Sequence, residues 1–292
     1  MKYEMSIGRI IFNIFNSAIL LLTAVLCVIP LVNVLAVSLS SSTAAAANQV
    51  SLIPVGFNLS AFRYVLERSA FWASFYITIK RCFLGIIINV IISVLMAYPL
   101  SKSSKELFGR NIYMGILIFA MLFNGGLVPF MLTMKSLGLM DNIWGLVLPA
   151  AVPIFSIILV MNNIRMLPKE IEESARMDGA SHFTVLFRII VPMLGPVIAT
   201  ITLFSFVNHY NSWFDGLVLM NDIRKYPLQT FLSQVVRSID VKSMEETKIY
   251  TDINNKTLKA AQLFITLVPI LLVYPFLQKY FTKGIIVGSV KG

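Results

Sequence analysis

The sequence predicts an all-α membrane protein built on six transmembrane helices, and two observations carry that prediction. Of 292 residues, 57% are hydrophobic and 13% charged, about half the charged share of soluble domains; mean hydropathy is +0.80. The apolar residues also fall into blocks of at least ~17 nearly uncharged residues, long enough to cross a hydrocarbon layer as helix. A disulfide scaffold is excluded because the two cysteines, Cys27 and Cys82, both sit in apolar runs. Nucleic acid is no expected partner: the net charge is +10, but the basic residues are spread along the chain and gather on no single face.

The expected spans are 10–39, 82–100, 112–134, 143–161, 197–220 and 260–281. Together they make residues 1–292 one transmembrane domain with no room for a separate soluble enzyme. Lys2 and Arg9 ahead of the first block resemble the start of a signal peptide, and the alanine run 44–47 resembles a cleavage site. A signal core is only 7–15 residues long, however, so the first block is read as an uncleaved span. Basic residues in the short connections (Lys102, Lys105, Arg110) and in the tail outweigh Lys135 on the other side. By the positive-inside rule both termini are expected in the cytoplasm of a bacterial inner membrane.

Within the spans, Gly85, Asn89, Ser93 and Ala97 recur every four residues, the spacing of a close-packed helix seam. In the fifth span Thr202, Ser205, Asn208, His209 and Ser212 form a polar stripe with Asn211 beside it. Intramembrane polar groups are costly and face a bundle interior or a water path. Ser205, Asn208, His209 and Asn211, together with Asn124, are therefore candidates for a substrate path, packing being the alternative. Asn124, Gly125, Gly126 and Pro129 should break the third span, and Pro30, Pro269 and Pro275 should kink others. Trp72, Trp144 and Trp213 fall near span ends, as belt residues do.

Chemistry for catalysis is missing from the motifs. There is no phosphate-binding Gly-x-x-x-x-Gly-Lys-Ser/Thr loop, no Gly-x-Ser-x-Gly and no His-Glu-x-x-His. Two histidines without a Cys/His cluster make a metal site improbable. No catalytic residues and no metal ligands are expected.

The informative stretch is the connection 162–196, expected in the cytoplasm. Pro168 and the acidic Glu170, Glu172 and Glu173 suit a helix start. Asp178 and Gly179 suit a turn. A second short helix from Ser181 to Arg188 should expose Phe183, Leu186 and Phe187 before Pro192. An acidic first turn disfavours a headgroup-only role, since cytoplasmic leaflets are negative; insertion into a groove on another protein fits better. The connection 221–259 reads as a folded, extracytoplasmic hydrophilic loop.

At this point the residues resemble a family. Glu173, Ser174 and Ala175, then Gly179 after three residues, then Ile189 to Pro192 after nine more, resemble the EAA loop of ABC importer permeases. Ser174 and Val191 stand where that pattern has Ala and Leu. Residues 136–144 before the fourth span and the ending Gly288–Gly292 are similar to carbohydrate-uptake permeases of the maltose-permease type. The stretches 211–215, 226–230 and 274–280 are closer to the LplC/YtcP-like branch, associated with oligosaccharides and uronate-containing polysaccharide fragments.

The resemblance implies the type I ABC importer permease fold and alternating access. It implies a second homologous permease subunit, two ATPase subunits holding ATP and Mg, and an extracytoplasmic solute-binding protein, in a lipid membrane. This chain itself would bind no cofactor. Glu173, Ser174, Ala175, Asp178, Gly179, Phe183, Leu186 and Pro192 would form the ATPase-coupling segment, and Gly288, Ser289, Val290, Lys291 and Gly292 a tail reaching the ATPases. The alternatives are a secondary sugar transporter, whose acidic coupling-ion site the spans are read as lacking, and a free-standing metabolite channel.

Overall fold

Apolar side chains on every turn leave little choice but helix in a membrane, where each backbone N–H and C=O must be satisfied within its own segment. The computed structural model describes residues 7–234 and 254–289, and among these every regular element is helical. The helices of the spans and of the connection 162–196 are α1 (Ile7–Ser38), α2 (Ser69–Ser101), α3 (Arg110–Leu122), α4 (Leu127–Ser136), α5 (Ile143–Val147) and α6 (Ile154–Arg165). They are followed by α7 (Lys169–Met177), α8 (His182–Met193), α9 (Gly195–Asn211), α10 (Phe214–Leu219) and α11 (Asn255–Ser289).

Two helices, α1 and α2, are each long and apolar enough to cross a membrane alone. Three further stretches reach that length and hydropathy only as bent pairs: α3 with α4 at 113°, the Ile143–Ala150 segment with α6 at 45°, and α8 with α9 at 83°, the α8 part belonging to the connection 162–196. The sixth expected span lies inside the single helix α11. The second span starts at Ser69 instead of Cys82, because Trp72, Phe75, Tyr76 and Ile77 extend the apolar run past Lys80 and Arg81. The first and sixth spans run as continuous helix through Pro30, Pro269 and Pro275.

The third span breaks where expected. Phe123 leaves the helix in an extended conformation, and Gly126 takes φ +86° and ψ 170°, a region essentially reserved for glycine. The Asn124 carboxamide oxygen accepts from the Gly126 N–H at 2.9 Å, replacing a bond that the break removes. Pro129 follows at the third position of α4, where its missing N–H leaves no helical bond unmade.

The fifth span is not one helix from 197 to 220. α9 ends at Asn211, Ser212 turns extended, and α10 starts at Phe214.

The chain divides into two compact units. One, residues 1–69 and 234–269, contains α1 and the beginning of α11. Its small core sets Val37, Ala45 and Ala260 together. The Ser40 hydroxyl accepts from the Val55 N–H at 3.0 Å, beside Gly56 at φ +66°, which fixes the Pro54–Gly56 turn. The side chains along α1 are mostly exposed, as suits a lipid-facing span.

The other unit, residues 70–233 and 270–292, contains the remaining helices. Its core joins α2 (Val94, Ala97, Tyr98), α6 (Ile157, Val160, Ile164), α8 (Val185, Leu186, Ile190) and α9 (Val197, Ile201). The sugar-path and coupling candidates lie in this unit.

Candidate functional site: a hinged surface helix pair and a polar seam

The segment singled out by sequence folds as two helices meeting at a glycine. Pro168 caps α7, whose first turn carries Glu170 and Glu172 and whose last turn carries Arg176. These charges oppose the helix dipole at each end. Gly179 stands at φ +82°, open to glycine without a Cβ clash. The Gly179 N–H donates to Arg176 at 3.0 Å and the Ala180 N–H to Ala175 at 3.0 Å, so the last carbonyls of α7 are satisfied by the turn. Ser181 then caps α8 by accepting from the Thr184 N–H at 3.2 Å.

The second helix is longer than the expected 181–188. It continues to Met193 through a π turn over Val185–Ile190. Pro192 gives the reason: it has no N–H, and its ring crowds the carbonyl four residues back, which a wider turn accommodates.

Exposure divides the coupling candidates. Glu173, Ser174, Asp178, Gly179, Phe183 and Pro192 face outward, and Ala175 is half-buried against the core. Phe183 and Phe187 stack with ring centroids 6.5 Å apart and form an exposed aromatic ridge. The expectation for Leu186 is corrected: it is buried at 3% exposure, because α8 turns Val185, Leu186 and Ile190 together onto α2 and α6. In the tail, Gly288 and Ser289 end α11, while Val290, Lys291 and Gly292 lie outside the described residues.

On the inward side of α7, Glu172 accepts from the Tyr98 hydroxyl at 2.9 Å and from the Lys102 ammonium. Burial pushes its carboxyl upward, but the Lys102 and Tyr98 hydrogen bonds outweigh that and hold it below the usual carboxylate range. A cavity of about 530 Å³ opens beside it between α7, α6 and the 101–110 connection.

The polar residues of the spans assemble a seam between α2 and α9. Gly85, Asn89, Ser93 and Ala97 are all buried. A Cβ on Gly85 would stand 2.2 Å from His209 Nε2, so the imidazole lies directly on the glycine. In the amide orientation that satisfies both ends, Asn89 accepts from the Ser205 hydroxyl at 3.0 Å and donates to the Ala150 carbonyl at 2.9 Å. Ser205 and His209 thus sit inside the packing, while Asn208 and Asn211 on the same helix are exposed. Asn124, at the break of the third span, is exposed too.

One ion pair was missed by sequence reasoning. Arg81 is buried in α2 at 2% exposure and pairs with Asp215 at the start of α10. Asp215 lies within the segment 197–220, so the reading that the spans lack an acid is corrected. It is committed to Arg81, to the Ser212 hydroxyl at 2.8 Å and to the Gly216 N–H at 2.8 Å. The available signal was Arg81 at the edge of one apolar block and Asp215 inside another, where a charge calls for a partner.

Beyond α10, the Thr230 hydroxyl donates to the Trp213 carbonyl at 2.7 Å and the Leu228 N–H to Thr78 at 2.7 Å. Lys225 binds Asp141, and Asp222 binds Arg224. The Lys225 bond, foremost, draws the Asp141 carboxyl below its ordinary range. Residues 235–253 of the expected hydrophilic loop lie outside the described residues.

Broken and unbroken apolar helices, carrying a hinged amphipathic helix pair at one end, define a multi-span membrane subunit built to engage a second protein. The particular family follows from comparison: residues 83–287 match the model of the binding-protein-dependent transport system inner membrane component, and the chain belongs to that family. It is 36% identical over 284 residues to the polygalacturonan/rhamnogalacturonan transport system permease protein YtcP of Bacillus subtilis, covering 97% of this chain and 99% of that one. It is 37% identical to protein LplC of the same organism, covering 98% and 96% respectively. Among solved structures it is similar to a chain of a bacterial ABC transporter involved in the import of the acidic polysaccharide alginate. That match has TM-score 0.85 and 33% identity, and covers 95% of this chain and 99% of that one.

Proposed function

We propose that the chain is the permease subunit of an ATP-driven importer for a carbohydrate, and that it takes acidic, uronate-containing oligosaccharides handed over by an extracytoplasmic binding protein. It works as one transmembrane domain over 1–292, with both termini, 162–196 and the tail in the cytoplasm and 221–259 outside. A homologous permease completes the pathway, and two ATPase subunits hold ATP and Mg. This chain performs no catalysis.

The observation that carries the reading is the α7–α8 pair hinged at Gly179, with Glu173, Asp178 and Phe183 turned outward. Closure of the ATPase dimer draws α7 and α8 of the two permeases together, and the spans rock between inward- and outward-facing states. Energy passes only through contacts that differ between the two states. Asn208 and Asn211 of α9 and Asn124 of the broken third span offer amides to sugar hydroxyls. Ser205 and His209 hold the wall from behind.

The pairing with relatives that are named for pectic-polysaccharide transport and for alginate import supports the substrate class. The test is binding-protein-stimulated ATP hydrolysis and uptake in proteoliposomes across neutral and uronate-containing oligosaccharides. Stimulation by the neutral sugars alone would overturn the substrate class. Normal stimulation with Glu173→Lys would overturn the docking of α7.

A further inference from the structure

Two neighbouring acids on α7 point in different directions. Glu173 is exposed, whereas Glu172 turns inward and is gripped twice by the end of α2. The Tyr98 hydroxyl donates to one carboxylate oxygen at 2.9 Å, and the Lys102 ammonium donates to the other. The Lys102 nitrogen also lies 4.4 Å from the Tyr98 ring centroid, so the two donors hold each other in place. Tyr98 is buried at 6% exposure, and the Glu172 and Lys102 side chains are exposed by 20% and 17%. Sheltered, multiply bonded pairs resist solvent and salt far better than surface ones.

The grip reaches α8 as well. The Tyr98 hydroxyl lies 3.4 Å from His182 Nδ1, and Arg176 of α7 reaches the same imidazole. Three helices therefore meet at one polar joint, just inside the Gly179 turn.

The cavity beside the joint does not read as an anion site, because four of the five cations lining it are engaged, Arg176 with the His182 ring and three others as follows. Arg110 donates to the Leu100 carbonyl at 2.9 Å, Arg165 to the Ser101 carbonyl at 3.2 Å, and Lys102 to Glu172. The cavity runs along the Glu172 side of α7, where Leu167, Ile171 and Ile190 line it together with the charged groups. On that side the joint adds a directed polar connection to the apolar packing of Ala175 against the core. Two bonds to the two oxygens of one carboxylate also fix rotation, which a single contact would leave free.

We propose that Glu172 is a positioning residue for transport: with Lys102 and Tyr98 it forms the rigid joint that passes displacement of α7 to the second span. The inference rests on the coupling role of α7 given above. Glu173 faces the ATPase and Glu172 faces the membrane domain, so adjacent residues of one helix receive and transmit the same movement.

The test uses the whole importer in proteoliposomes with its binding protein. It reads the ratio of binding-protein-stimulated to basal ATP hydrolysis, and the amount of ATPase subunit that co-purifies. Glu172→Ala and Lys102→Ala each lower the ratio at least fivefold while the ATPase still co-purifies. The double variant is no worse than either single one, because both remove the same joint. Lys102→Arg, which keeps the charge-assisted bond, retains the ratio, and the swap Lys102→Glu with Glu172→Lys restores at least half of it.

An unchanged ratio in the single variants, or a double variant equal to the product of the singles, overturns the joint. Should the single variants fail to assemble, the swap decides: recovered assembly and ratio support the joint, and no recovery refutes it. Glu173→Lys separates the two levels. If it leaves stimulation intact, the docking of α7 is wrong; if it abolishes stimulation while the Glu172 and Lys102 variants behave normally, only the joint is wrong.

Discussion

The Arg81–Asp215 pair permits a prediction with a worked magnitude. Opposite charges 4 Å apart attract by about 4 kcal/mol at an effective dielectric of 20. Removing one partner of a buried pair typically costs about 3–5 kcal/mol, and the structure says which removal is worse. Arg81→Met leaves the Asp215 carboxylate with two short bonds, from the Ser212 hydroxyl and the Gly216 N–H, both at 2.8 Å, and with 22% exposure. Its cost belongs near about 3 kcal/mol. Asp215→Ala leaves a guanidinium at 2% exposure holding only the Ser212 carbonyl at 3.4 Å, while its Nε is already buried without a hydrogen bond. That cost belongs near about 5 kcal/mol. Replacing both, as Arg81→Met with Asp215→Leu, removes the desolvation penalty together with the attraction and should cost about 1 kcal/mol or less. The assay is a double-mutant cycle on SDS-induced unfolding of the purified complex, followed by helix circular dichroism. A double variant as unstable as the sum of the singles would show that the pair is not energetically coupled, and the reasoning would fail.

Four further outcomes follow from the same structure. Leu186→Ala should destabilise the fold by about 2–5 kcal/mol through a core cavity, whereas Phe183→Ala should leave stability alone and weaken ATPase co-purification; equal effects on unfolding midpoints would contradict the inward placement of Leu186. Gly85→Leu should prevent assembly, because the first added carbon already meets His209 at 2.2 Å, and normal yield of folded complex would refute the seam. Gly179→Val forces a β-branched residue to φ +82°, costing at least about 1–2 kcal/mol locally; stimulated ATP hydrolysis should fall while membrane insertion, read by surface labelling, persists. The Glu172 carboxyl is held below the ordinary value of about 4.3, facing Tyr98, Lys102, Arg176 and, through Tyr98, His182 and Glu106. Its contribution is complete above that ordinary value and is lost as pH falls through the depressed one. Complex stability in wild type and Glu172→Gln should therefore differ at pH 7 and converge on acidification below about pH 4; a constant difference would show that the carboxylate's charge is irrelevant.

The helical membrane fold and the hinged helix pair were legible because they rest on local rules. Length and hydropathy mark a span, Asn124 to Pro129 mark a break, and Asp178–Gly179 marks a turn whatever surrounds it. Local rules fail where a residue's setting depends on a distant element. Leu186 and Phe187 are both apolar neighbours on α8, and nothing in their spacing says which one meets α2 and α6. Arg81 beside Lys80 looks like an interfacial cation until α10 brings Asp215 to it. The polar stripe of α9 had the same ambiguity, which the structure resolved by putting Ser205 and His209 into the seam and leaving Asn208 and Asn211 out of it.

The sequence by itself determined that this chain carries membrane-crossing helices, that the third apolar block breaks at Asn124–Pro129, and that a turn sits at Asp178–Gly179, since bilayer thickness and backbone sterics act residue by residue. Only the tertiary structure decided which polar groups hold the fold and which are free to act. That choice is made by pairing: Glu172 found Lys102 and Tyr98, seventy residues or more away in the chain, while Glu173, one peptide bond further on, found no such partner among the described residues. A carboxylate so paired is committed within the subunit, and the one beside it stays exposed.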